Sequence, residues 1–182
     1  MVEANNAILA ILASIKSPDN ATRQQAETSL TEMRAGQARD LYSGLMSVIQ
    51  SGANGDTATV SMACLLLKKY YLDDRRQEKE LEQLTAEDIS TLKATFKPLL
   101  NMTEPMGLLR RKAEIICKIH KKEETFGELV AQLQQLAVAQ TDDDEASVKS
   151  KEVAMYMFEL LSEYHLPQDQ LVAEQAAFMS MF

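Results

Sequence analysis

The chain has 182 residues, enough to bury a substantial core, and 46% of them are hydrophobic, an ordinary share for a folded protein. Its 27 acidic and 19 basic residues give a formal net charge of −8, which disfavours non-specific nucleic-acid binding and favours basic partners. Straight-chain helix formers are plentiful, whereas only 5% of residues are aromatic and there are 6 Gly and 4 Pro; this composition predicts an all-α fold and disfavours an all-β fold, which needs many turns.

Four helices are predicted in the first part of the chain, because apolar residues recur there at helical spacing. They lie at about 7–15, 21–34, 38–50 and 57–71. The turn at 17–20 ends the first helix and caps the second, and a polar, Gly-containing break at 51–56 separates the third from the fourth.

A charged connector at 73–84, DDRRQEKELEQL, is the longest polar interval in the chain. Five more helices are predicted after it, at about 85–100, 104–122, 127–139, 146–164 and 167–182. Thr85 and Asp88 form the pattern of a capping box at the start of the first of these, and Pro98 should kink that helix. The last is apolar to Phe182 without a polar cap, which suggests a fragment of a longer protein or a short paralogue whose exposed end is covered.

Two patterns recur along the chain. Asp19, Ala26 and Leu30 are repeated in type and spacing 37 residues later, at Asp56, Ala63 and Leu67. Similarly, Glu104-x-x-x-x-Leu109-Arg110-x-Lys112 is matched 39 residues later by Asp143-x-x-x-x-Val148-Lys149-x-Lys151. In each case the acid is expected to cap the second helix of a pair, and the apolar residue to begin its buried stripe.

A period of about 40 residues with two helices in each unit is typical of HEAT repeats. The step between the two patterns is longer, and the charged connector accounts for the excess. The sequence therefore predicts one domain, 1–182, folded as an α-α superhelix: a right-handed solenoid of about 4.5 repeats. The expected repeats are approximately 1–36, 37–84, 85–126 and 127–166, with the first helix of a fifth at 167–182.

Three of the second helices resemble those of the importin-β (karyopherin-β) family of nuclear transport receptors. The helix after Asp19 reads Arg23-x-x-Ala26-Glu27-x-x-Leu30, which resembles the R-x-x-A-E-x-x-L signature of the family's first repeat. The aliphatic and dibasic run 63–71 and the segment 109–116 are similar to the next two second helices. The segment 109–116 is closest to the branch that imports ribosomal proteins and histones. Residues 127–182 match only as generic HEAT repeats, and the connector 73–84 is longer than the family's linker.

The resemblance implies the N-terminal part of a receptor that carries basic protein cargo through the nuclear pore. Such receptors contact Phe-Gly nucleoporins, and their concave face, lined by second helices, grips the small GTPase Ran in its GTP form. The expected location is the cytoplasm, the nucleus and the nuclear pore, with no cofactor, membrane or nucleic acid as partner. The candidate Ran contacts, each of which is alternatively a plain solvated side chain, are Arg23, Lys68, Lys69, Arg111, Glu114, Lys118 and Lys121.

Other classes of function stay open at this point. An export receptor has similar N-terminal repeats and binds cargo together with Ran-GTP, whereas a HEAT scaffold subunit would show more regular repeats. An enzyme is not expected, because no Ser-His-Asp set, Gly-rich phosphate loop or His-x-x-x-His pair is present. Cys117 and His120 share a helix without further metal ligands, so a core thiol and a helix-end histidine are expected.

Further expectations concern the location and the methionines. Cys64 and Cys117 lie in apolar stretches, which indicates a reducing compartment, and neither a signal peptide nor a membrane span is read from the sequence. The late methionines are expected mainly in the core rather than on an adaptable binding surface. They are Met155, Met157, Met179 and Met181.

Overall fold

A computed structural model describes residues 2–72, 84–96, 103–123, 126–138 and 145–164. All regular structure in these ranges is helical, so the predicted all-α class is confirmed. The helices are α1 (Val2–Ile15), α2 (Asn20–Gly36), α3 (Ala38–Ser51), α4 (Thr57–Leu67), α5 (Ala86–Phe96), α6 (Met106–Glu123), α7 (Phe126–Val138) and α8 (Glu145–Tyr164). The predicted kink at Pro98, the connector from Asp73 to Gln83 and the ninth helix lie outside the described residues.

The chain divides into two compact units, Met1–Asp88 and Ile89–Phe182, and the boundary falls inside α5. In the first unit α1 packs against α2 and α3, and α3 packs against α4. The core side chains recur every three or four residues, which is the spacing of one helix face. Those with at most 2% of their surface exposed include Ile8, Leu12, Leu41, Leu45, Ile49 and Leu67.

The repeated acid of the first unit caps a helix at both of its positions. Asp19 accepts hydrogen bonds from the backbone N–H and the hydroxyl of Thr22, at 2.8 and 2.6 Å. Asp56 accepts the same two bonds from Thr59, at 3.1 and 2.5 Å. The apolar positions that follow, Ala26 and Leu30 in α2 and their counterparts in α4, are buried. The predicted acid caps and the burial of the apolar positions that follow them are confirmed for α2 and α4.

The end of α4 differs from the prediction of a helix to Tyr71. The α-helix ends at Leu67, and a π-helical turn, Lys68–Leu72, continues it. In this turn the Tyr71 hydroxyl donates a hydrogen bond to the Ala38 carbonyl at 2.5 Å, and the Tyr71 ring packs edge-on against Tyr42, with 5.4 Å between centroids. Leu72 is buried as well. The last two side chains of the π-helical turn thus both belong to the core.

The predicted capping box at the start of α5 is confirmed. The Thr85 N–H donates to the Asp88 carboxylate at 2.8 Å, and the Asp88 N–H donates to the Thr85 hydroxyl at 3.2 Å. Arg39 also donates to this carboxylate, at 2.5 Å. Burial alone would raise the pKa of Asp88, but the hydrogen bonds from Thr85 and Arg39 outweigh it, so the pKa lies below its ordinary value.

In the second unit α6 packs against α7 and α8, and α7 packs against α8. The predicted register between α6 and α8 is wrong by one residue. Leu109 is fully buried, whereas Val148, its predicted counterpart 39 residues later, is 56% exposed. Burial matches instead at Ser147, one position earlier, because the inward face of α8 begins there. Asp143, the predicted cap of α8, lies outside the described residues.

The prediction that the late methionines lie in the core is correct for one methionine of α8 and wrong for another. Met157 is buried at 1% exposure, as expected, whereas Met155 is 52% exposed. Met155 lies seven residues after Val148, so the two side chains share the outward face of the helix. Met179 and Met181 are outside the described residues.

Candidate functional site

Four candidate Ran contacts lie together on α6. They alternate at spacings of three and four residues, and each is partly exposed, while the intervening residues are mostly buried. These residues, which we call the α6 stripe, are Arg111, Glu114, Lys118 and Lys121. The structure thus places on one face the group that the helical spacing predicted.

The α6 stripe continues onto α8 through Tyr156. The Tyr156 hydroxyl donates to Glu114 at 2.8 Å, and the second oxygen of Glu114 lies 3.5 Å from the guanidinium of Arg111. Burial of the phenol, and then its hydrogen bond to Glu114, raise the pKa of Tyr156 above its ordinary value. Tyr156 therefore stays protonated at neutral pH and serves as a hydrogen-bond donor that orients Glu114.

Arg110 borders this arrangement. It forms an ion pair with Glu152 at 2.6 Å, and its guanidinium carbon lies 5.3 Å from the centre of the Tyr156 ring, within cation–π range. The sequence reading missed Tyr156, Arg110 and Glu152 as members of the site. Their positions on two helices far apart in sequence carry no local signal, and only the packing of α6 on α8 brings them together.

Lys68 and Lys69 belong to a second polar group, in the first unit. The Lys69 ammonium lies 5.6 Å from the centre of the Tyr70 ring, and the Arg34 guanidinium carbon lies 5.0 Å from the same centre. Lys68 precedes Lys69 in the same π-helical turn. We call these four residues the Tyr70 patch. The sequence reading missed Arg34, although a basic residue in the last turn of α2 was a visible clue.

The Arg23 guanidinium is engaged in hydrogen bonds within the fold. Its guanidinium donates to the carbonyls of Ser17 and Pro18, at 2.9 and 3.2 Å, and to the side chain of Asn20. These bonds hold the turn between α1 and α2, so the arginine of the R-x-x-A-E-x-x-L pattern has a structural role in this chain. These hydrogen bonds are made within the turn and not with Lys68 or Lys69, the other candidate Ran contacts of the first unit.

Cys117 and His120 are both buried, at 2% exposure each. Burial, and then the nearby Glu114 carboxylate, raise the pKa of Cys117 to about 12, so the thiol stays protonated and unreactive. The cavity beside His120, which Lys93 and Gln132 also line, has a volume of about 10 Å³, about the size of one water. Among the described residues, no three His, Cys, Asp or Glu side chains cluster closely enough to hold a metal ion.

An open groove of about 270 Å³ lies between α1 and α2. Its lining contains small, amide and hydroxyl side chains, such as Ala10, Ser14, Gln25 and Ser29, and no acid, base or thiol. The Ser and Thr hydroxyls of this lining have no acidic or basic side chain beside them in it to activate them for nucleophilic attack.

Comparison with protein-family models, curated proteins and solved structures gave no match to this chain. The likeness to importin-β thus rests on the residues of α2, α4 and α6 quoted above. Within the described residues, none of the helices is both long enough and apolar enough to cross a membrane.

Proposed function

We propose that the chain is the N-terminal part of an importin-β-type nuclear transport receptor, folded as a right-handed HEAT solenoid of about 4.5 repeats. One observation carries this proposal: α2 follows the R-x-x-A-E-x-x-L pattern, and residues of the pattern hold the preceding turn and pack in the core. Arg23 holds the turn before the helix, while Ala26 and Leu30 are buried. The cap and the buried positions then recur 37 residues later in α4.

The proposed Ran-GTP contact is centred on the α6 stripe, which lies on the second helix of the predicted third repeat. Its side chains are partly exposed, and Glu114 is already oriented by Tyr156 at 2.8 Å, so less conformational freedom is lost on binding. Lys68 and Lys69 are further candidates, and Arg23 is the weakest because its donors serve the turn. Basic protein cargo fits the net charge of −8, and Phe-Gly nucleoporins complete the proposed set of partners.

Titration of the 182-residue chain with Ran loaded with GTP or GDP tests the proposal by isothermal calorimetry. We expect binding to the GTP form that is at least roughly tenfold tighter than to the GDP form, as coupling between a nucleotide state and a partner requires. Equal affinity for the two forms, or no binding to either, would contradict the proposed function.

Two neutralising variants locate the contact. Replacing Lys118 and Lys121 together by Gln removes two partly exposed cations of the α6 stripe, and we expect affinity for Ran-GTP to fall roughly tenfold. Lys93→Gln is the control, because Lys93 forms its ion pair with Glu128 between α5 and α7 and is not part of the stripe. If Lys93→Gln weakens binding to Ran-GTP as much as the double replacement of Lys118 and Lys121 does, the α6 location is wrong.

A further inference from the structure

The Tyr70 patch concentrates positive charge in a strongly acidic molecule. Arg34 reaches the Tyr70 ring from the last turn of α2, and Lys69 reaches it from the π-helical turn. Lys68 belongs to the same turn as Lys69. Because like charges repel, such a concentration in a chain of net charge −8 is a feature that local helix formation alone does not require.

The fold explains how the patch is displayed. Tyr71 and Leu72 are both buried, with the Tyr71 hydroxyl bonded to Ala38, so the π-helical turn is anchored from its inner side. Lys69 is exposed, and Lys68 and Tyr70 are partly exposed. Cations at helix C-termini also complement the helix dipole, but that effect acts within one helix and does not bring α2 and the turn after α4 to the same ring.

The chemistry of the patch selects carboxylates. A guanidinium binds a carboxylate through two parallel hydrogen bonds, and the ammonium groups of two lysines attract further acids nearby. The partly exposed Tyr70 ring adds a flat surface on which an aliphatic or aromatic side chain can pack.

The charge of the whole molecule limits the size of the ligand. A long polyanion, such as nucleic acid, or an extended anionic membrane would also face the acidic remainder of the chain, which carries 27 Asp and Glu. A short acidic segment can reach the three cations without that wider repulsion. We propose that the Tyr70 patch binds a short acidic peptide segment of a protein partner, in which carboxylates alternate with apolar side chains. This proposal does not depend on the transport function, since it holds equally for a scaffold subunit.

Fluorescence anisotropy with a labelled peptide of Asp, Glu and Leu tests the proposal on the 182-residue chain. We expect saturable binding that weakens as salt is raised, and much weaker binding of a matched peptide of Asn, Gln and Leu. Arg34→Gln and Lys69→Gln should each weaken binding of the acidic peptide roughly five- to tenfold, because each removes a charge-assisted contact. Lys69 is exposed, so its replacement leaves the core intact even if the Arg34 variant is less stable.

Lys149→Gln provides the matched control, since it removes one positive charge from an i,i+4 ion pair with Glu145 in the other unit. We expect it to leave peptide affinity within about twofold of the original chain. Three results would overturn the proposal: equal binding of the neutral peptide, an equal loss in the Lys149 variant, or single-stranded DNA binding more tightly than the peptide with the same dependence on Arg34. The last result would assign the patch to nucleic acid.

Discussion

Lys112 shows how one buried charge is accommodated in the second unit. Its side chain is 2% exposed, and its ammonium donates to both oxygens of Glu104, at 2.7 and 2.6 Å. Glu104 is more accessible, with 24% of its side chain exposed. The two partners therefore differ in what happens when the other is removed: an unpaired Glu104 can be hydrated, whereas Lys112 without this carboxylate remains a charge surrounded by protein.

We predict that Glu104→Ala destabilises the fold by about 3 kcal/mol, because it removes the carboxylate that accepts two hydrogen bonds from the buried Lys112 ammonium. Lys112→Met should cost less than about 1 kcal/mol, since Met fills a similar volume and Glu104 keeps contact with water. Equilibrium unfolding in urea, followed by far-UV circular dichroism, measures both free energies. Equal losses in the two variants would show that the asymmetry in burial does not control the energetics of the pair.

The same residue scale explains the outcome for Arg23. The sequence pattern singled it out as a candidate partner contact, and the structure shows its guanidinium bonded to Ser17 and Pro18. A pattern can identify a position that matters without saying whether it serves folding or binding. That distinction depends on where the guanidinium points, which the residue types in the pattern do not specify.

At the scale of helices, the contact between α1 and α3 depends on Gly44. A Cβ atom added there would overlap the Ile8 Cδ1 atom and would lie 3.1 Å from Ile8 Cγ1. Ile8 is only 1% exposed, so it has little room to move away. Gly44 thus permits a close approach of two helices, at the expense of some helix propensity.

Gly44→Ala should destabilise the fold by roughly 1 kcal/mol, because the overlap with Ile8 outweighs the gain of about 1 kcal/mol in helix propensity. Combining it with Ile8→Val, which lacks the overlapping methyl group, should recover most of this loss relative to Ile8→Val alone. Gly107→Ala in α6 is the matched control, since nothing lies within 4 Å of an added Cβ there. We expect Gly107→Ala to be neutral or stabilising in urea unfolding; a stabilising Gly44→Ala would refute the close-contact explanation.

At the scale of the whole molecule, acidic side chains with depressed pKa values occur in both units. The hydrogen bonds from Thr22 lower the pKa of Asp19, and those from Lys16 and then Thr59 lower that of Asp56. In the second unit, the hydrogen bond from Lys149 lowers the pKa of Glu145. A carboxyl group whose pKa is lower in the folded state stabilises the fold above its unfolded pKa, roughly 4, and loses that contribution as pH falls through the folded value.

We therefore predict that stability to urea decreases as pH is lowered from 7 towards 2. A chain with both Asp19→Asn and Asp56→Asn should lose less stability over this range, because Asn still caps a helix but does not titrate there. The comparison uses urea midpoints at several pH values for the two chains. Parallel curves would mean that these two caps contribute nothing to the acid sensitivity.

The sequence by itself determined the features that depend on neighbouring residues. Helical periodicity predicted the all-α class, the recurring acid before a helix predicted the caps at Asp19 and Asp56, and the capping-box pattern predicted the pairing of Thr85 with Asp88. The α6 stripe was predictable for the same reason, since residues three or four apart on one helix share a face.

Only the tertiary structure decided which distant side chains meet. The approach of Arg34 to Tyr70, the bond from Tyr156 to Glu114 and the exposed position of Val148 each depend on how one helix is rotated against another. The π-helical turn is likewise tied to a distant segment, because the Tyr71 hydroxyl bonds to Ala38 and the Tyr71 ring packs against Tyr42, both in α3. Helix rotation is set by the packing of both surfaces at once, and no single segment of sequence contains both.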